Sequence, residues 1–163
     1  MNLKITKNQK GLSLVEVIIA TSIIVIFLTA LIGAYSLYLN LSLSNLQKVR
    51  ATFLAVEGIE AVKILRDTEW SSQIGPIVSG TDHYIDFTGG TWVATTSASM
   101  IDNFFDRVFV LSDVNRDASS DITESGGTLD PNTKKVTVTV SWNDKGATST
   151  KVISTFITNL FQN

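Results

Sequence analysis

The 163-residue sequence contains no cysteine. Disulfides, thiolate metal sites and cysteine nucleophiles are therefore excluded. Histidine occurs once, at His83, so a zinc site of the usual ligand types cannot be assembled. Proline occurs only at Pro76 and Pro131, and nothing of that kind interrupts a helix before residue 76. Basic residues are not in excess, with 13 Lys and Arg against 15 Asp and Glu, which argues against nucleic acid as a partner. No Ser-His-Asp arrangement and no phosphate-binding glycine loop is legible, and acidity alone is no sign of a hydrolase. The length suits one domain rather than two.

Charge is also missing from one long stretch. Residues 17–39 hold no Asp, Glu, Lys or Arg, and their polar members are small or amphipathic: Thr21, Ser22, Thr29, Ser36, Tyr35 and Tyr38. A bilayer core of ~30 Å takes roughly 20 helical residues, so this stretch is long enough to span. A secretory signal peptide has a shorter apolar core and a small-residue cleavage site after it. Asn40-Leu41-Ser42-Leu43 offers no such site. Lys4, Lys7 and Lys10 favour a cytoplasmic amino end with the remainder outside. Residues 1–11 carry three of the 13 basic residues and no acid, leaving an acidic body of 10 basic and 15 acidic side chains. Glu16 stands at the edge of the apolar run, where a charge is costly. Two readings are open. It is a first-turn helix acid in interfacial water, favoured by the macrodipole, or it needs a cation partner inside an apolar assembly.

The stretch Gly11-Leu12-Ser13-Leu14-Val15-Glu16-Val17-Ile18-Ile19-Ala20 resembles the processing motif of type IV prepilins and type II secretion pseudopilins. The resemblance implies a short basic leader, residues 1–11, removed by a membrane prepilin peptidase between Gly11 and Leu12. It also implies N-methylation of Leu12 and a glutamate, Glu16, at the fifth mature position. The chain departs from the pattern at Leu12, where Phe is usual. Residues 51–70 resemble the second half of the helix in minor pilins of the pilus-modification type, and the closing residues resemble their last strands. Residues 71–133 carry no recognisable motif of that family.

Leu46, Val49, Phe53, Val56, Ile59, Val62 and Leu65 recur every three or four residues, which predicts a helical stripe packed on a sheet. One helix is expected over residues 14–67, roughly 80 Å long at 1.5 Å per residue. Gly33 and Gly58 are its weak points, each ~1 kcal/mol worse than Ala. After Trp70 the pattern turns to strands. Residues 83–87 and 91–96 around Gly89-Gly90 read as a hairpin, 107–111 as a strand, 135–142 as an alternating strand and 152–157 as a last one. Val136, Val138, Val140 and Trp142 share one face. The expected fold class is α+β and pilin-like: a long amino-terminal helix with a small antiparallel sheet packed on its second half. The expected divisions are a leader over 1–11, a transmembrane or filament-core half-helix over 12–39, an amphipathic half over 40–70 and a β-rich head over 71–163.

Residues 113–124 place oxygens at Asp113, Asn115, Asp117, Asp121 and Glu124, the spacing of an EF-hand calcium loop. Against it, the sixth position is Ala118 where the turn wants Gly, and no flanking helices are expected. A solvated acidic loop is the alternative. No cofactor is required, and calcium is the one cation that the sequence suggests. Trp70, Trp92 and Trp142 are expected to pack in the core.

The resulting expectation is a non-enzymatic structural subunit, a minor pilin or pseudopilin of a type IV pilus or type II secretion-type filament. Its partners would be the prepilin peptidase, other pilin or pseudopilin subunits, and the cytoplasmic membrane with its assembly machinery. It would sit in the inner membrane as a single-pass precursor, then in a cell-surface or periplasmic filament. The competing expectation is an uncleaved, membrane-anchored binding or sensor module outside the cytoplasm. A tethered enzyme is a weaker third.

Overall fold

The computed structural model describes Gly11 and residues 13–161, so the expectations for Lys4, Lys7, Lys10 and Leu12 lie outside the described residues. The chain falls into two compact units, Met1–Leu43 and Ser44–Asn163. A helix, α1, covers Leu14–Thr68. A π-helical turn, Trp70–Ile74, follows. Among the described residues seven strands follow: β1 (Tyr84–Thr88), β2 (Thr91–Thr95), β3 (Met100–Ile101), β4 (Phe105–Arg116), β5 (Ile122–Thr123), β6 (Thr128–Asp144) and β7 (Ala147–Thr158). The expected α+β layout, a long helix followed by antiparallel strands, is what forms.

In the first unit the described part of α1 is exposed all round. Its hydroxyls are satisfied locally. Thr21 Oγ1 donates to Val17 O at 2.9 Å, Ser22 Oγ to Ile18 O at 2.7 Å and Thr29 Oγ1 to Val25 O at 3.1 Å. With these donors bonded inside the helix, its surface presents little but hydrocarbon to its surroundings. By length and composition this helix can cross a membrane.

In the second unit α1 packs against the sheet, but not with the whole stripe expected. Ile59, Val62 and Leu65 are buried, whereas Leu46 is 63 %, Val49 53 %, Phe53 70 % and Val56 44 % exposed. The buried face is Ala51, Ala55, Gly58, Ile59, Ala61, Val62 and Leu65. This segment is apolar on more than one side, so its period fits two faces equally well. Close approach decides between them. A Cβ on Gly58 would lie 2.9 Å from Val138 Cγ1, closer than real Cβ contacts come, and 3.2 Å from Arg107 Cδ, so something packed there would have to shift. Gly58, read from sequence as a weakness of the helix, is the point where helix and sheet touch.

The main sheet runs β3-β4-β6-β7 with β5 added to β4, all antiparallel. Alternation puts Phe105, Phe109 and Leu111 of β4 and Val136, Val138, Val140 and Trp142 of β6 into the core beneath α1. β4, β6 and β7 are each longer than expected. β6 passes through Pro131 because the β4–β6 register shifts between Asp113 and Val114, and residues 131–133 have no β4 partner. A bulge is where a strand tolerates proline. β1 and β2 form a separate two-stranded sheet, linked to β4 by the bridge between His83 and Phe109.

One core residue escaped the sequence reading. Arg107 on β4 is only 5 % exposed. It donates to Leu54 O at 3.3 Å, pairs with Glu57 Oε1 at 3.2 Å and stands 5.8 Å over the Trp92 ring. A charged side chain is affordable there because its head reaches the helix edge, where Glu57 is half exposed.

Candidate functional site

The first candidate site is the start of α1. Val17 N–H donates to Ser13 O at 3.2 Å, so Ser13 immediately precedes the first turn and Glu16 is the third helical residue. Ser13 and Glu16 therefore have the spacing of a capping box, a signal available in the sequence but not read there. The reciprocal bonds of a capping box are not made, and among the described residues the Glu16 carboxylate has neither a hydrogen bond nor an ion pair. It is exposed, as are Gly11 and Ser13. The arrangement sets one carboxylate beside the free backbone N–H groups of a helix start, at the head of an apolar surface. Tyr35 and Tyr38, 61 % and 68 % exposed, lie toward the other end of the uncharged run, where amphipathic rings suit a membrane boundary.

The second candidate site, residues 113–124, takes a form other than a calcium loop. Strand β4 continues to Arg116, so Asp113 and Asn115 lie on extended backbone, ~6.6 Å apart along the strand. Asp113 Oδ1 accepts from Lys134 Nζ at 2.5 Å and from Ser79 Oγ at 2.7 Å. Asp117 Oδ1 accepts the backbone N–H groups of Ser119 (2.9 Å) and Asp121 (3.0 Å), closing an Asx turn. Asp121 follows that turn and Glu124 lies beyond β5; neither carboxylate has a partner among the described residues. Asp113, Asn115 and Glu124 border one surface cleft, whereas among the described residues no group of three or more His, Asp or Glu is placed to hold a metal ion. A cation does organise this segment, but it is internal. Arg116 donates to Asp130 Oδ2 at 2.6 Å, to Ser120 O at 2.8 Å and to Thr133 Oγ1 at 3.3 Å.

These pairs shift two carboxyls. Lys134, with help from Ser79, holds Asp113 below the usual carboxylate range, and Arg116, with Thr133, does the same for Asp130. A folded pKa below the unfolded value of about 3.9 contributes stability that is present above that value and lost as pH falls through the folded pKa. The difference in denaturant midpoint between the native chain and Asp130→Asn is therefore expected to be largest near neutrality and to shrink below about pH 4. A difference independent of pH would show that the Asp130 charge is not what matters.

In comparison with known families, residues 6–32 fit the family model for the prokaryotic N-terminal methylation motif. No curated protein and no solved structure matches the chain. The matched residues bring together Gly11, Glu16 and the apolar start of α1. The prokaryotic N-terminal methylation motif, the long amino-terminal helix and the antiparallel sheet together are consistent with a type IV pilin-like protein.

Proposed function

We propose that the chain is a structural subunit, a minor pilin or pseudopilin, of a type IV pilus or type II secretion-type filament. The observation that carries this reading is the methylation motif over residues 6–32, with Glu16 five residues past Gly11 in the first turn of an exposed apolar helix. The precursor is held in the cytoplasmic membrane by α1, with residues 1–11 inside. Prepilin peptidase cuts between Gly11 and Leu12, and the new amino terminus is methylated. The cut creates a positive charge four residues before Glu16. In an assembly whose apolar helices pack side by side, the Glu16 carboxylate of one subunit meets the amino terminus of another. Each charge is costly alone in hydrocarbon and compensated in the pair, which favours one register between subunits. The function is mechanical and needs no catalytic group.

Expression with and without a prepilin peptidase tests this reading. With the peptidase, the chain is expected to lose residues 1–11 and to appear in filaments sheared from cells. Without it, the full-length chain is expected to stay in the membrane. A chain that keeps Met1 in both cases would be an uncleaved anchored module instead.

A further inference from the structure

A cleft of about 300 Å³ lies over strands β4, β6 and β7 beside the β5 arm, and the filament reading does not use it. Its floor is the cross-strand row Ser112, Lys135 and Phe156. Lys135 and Phe156 point away from α1 because their neighbours Val136 and Ile157 are buried beneath it. The wall is Asn115 with Ile122 and Glu124 of the β5 arm.

The arm is held in place. The three Arg116 bonds tie it to β6 and to the turn at Ser120. Gly127, at φ +77°, passes so close to β4 that any Cβ there would collide with the Arg116 carbonyl. The register shift after Asp113 re-aims the strand ends at this place. The acidic segment that resembled a calcium loop thus builds one side of a cleft.

The cleft is chemically mixed. The Asn115, Glu124 and Lys135 side chains have no hydrogen bond or ion pair with any described residue. Asp113 is already matched by Lys134. The remaining charges, Glu124 and Lys135, cancel, which favours a neutral ligand. Phe156 leaves 46 % of its surface open as an apolar platform. In the floor of the cleft β6 is paired on both sides, and a strand edge nearby, the outer edge of β7, lies beyond Phe156 and away from the Asn115 and Glu124 wall. A flat apolar platform ringed by an amide, a carboxylate and an amine suits a ring with one C–H face and hydroxyls around its rim. The volume is at the small end of small-molecule sites, enough for one such ring. We propose that this cleft binds a neutral pyranose sugar, with Phe156 under the ring face and Asn115, Glu124 and Lys135 bonding its hydroxyls.

The proposal is independent of cleavage and assembly. Its test is amide NMR titration of the isotope-labelled full chain in a detergent without a sugar headgroup. The probes are the methyl glycosides of glucose, galactose and mannose, and N-acetylglucosamine, each to about 100 mM, a range that reaches weak millimolar sites. Saturable shifts confined to the cleft residues are expected with at least one probe. Glu124→Ala, an exposed and unpartnered position, is expected to weaken that binding about tenfold with the rest of the spectrum unchanged, and Phe156→Ala at least as much. Four results would overturn the proposal: no saturable shift with any probe, shifts outside the cleft, binding indifferent to Glu124→Ala, or saturation of the cleft by triglycine but not by the sugars.

Discussion

Glu16→Ala is expected to leave cleavage after Gly11 intact and to lower incorporation into filaments by about a hundredfold. The direction follows from where the carboxylate sits. Glu16 has no partner among the described residues of its own chain, yet it heads a helix whose described surface down to Leu43 is exposed and mostly apolar. If neighbouring helices close over it, the carboxylate needs a cation from another chain. Removing it strands that cation in a low-dielectric contact, typically at about 3–5 kcal/mol, and each 1.4 kcal/mol is a factor of ten. Glu16→Asp should fall between, because it keeps the charge but shortens its reach. The ratio of subunit in sheared filaments to subunit in the membrane fraction measures this. An unchanged ratio for Glu16→Ala would return Glu16 to the status of a first-turn acid in interfacial water.

Gly58→Leu is expected to be the most damaging single change in the second unit. Even a Cβ would stand 2.9 Å from Val138 Cγ1, on a strand hydrogen-bonded on both sides and unable to retreat. A leucine must push α1 off the sheet or expel Arg107 from its bonds with Leu54 O and Glu57. Overpacking of this kind costs about 3 kcal/mol or more, far above the ~1 kcal/mol that helix propensity returns when glycine is replaced. Thermal unfolding of the full chain should shift by roughly 6–12 °C at 2–4 °C per kcal/mol. A melting temperature equal to that of the native chain would mean that the helix and sheet are not in close contact at this point.

Much of the fold was readable because it rests on local rules. No proline breaks residues 14–68, and the observed helix Leu14–Thr68 ends within a residue of the expected limit. Val136, Val138, Val140 and Trp142 alternate cleanly and are all buried. Reading failed where two placements satisfy the same local pattern. The stripe Leu46, Val49, Phe53 and Val56 has a helical period but lies outward, since the sheet accepts the smaller face of Ala51, Ala55 and Gly58. Only the packed partner, strand β6, distinguishes the two. Arg107 gave no signal either, because its neutralising contacts with Leu54 and Glu57 come from more than forty residues away in the chain.

The site divides in the same way. Gly11, Glu16 and the uncharged run form a linear pattern, and the methylation motif found over residues 6–32 is linear too. The calcium spacing over 113–124 was also linear, but coordination is a three-dimensional property. Arg116 in the middle of that stretch, with Ala118 in place of a turn glycine, keeps β4 extended and supplies the cation from within. A basic residue inside an otherwise acidic loop was the clue the sequence offered.

The most direct test of the pilin-like reading is the mass of the amino-terminal peptide of the chain isolated from cells that possess a prepilin peptidase. A peptide beginning with N-methyl-leucine at Leu12 is expected. A peptide beginning at Met1, with Lys4, Lys7 and Lys10 retained, would contradict the reading and leave an anchored module whose leader is never removed.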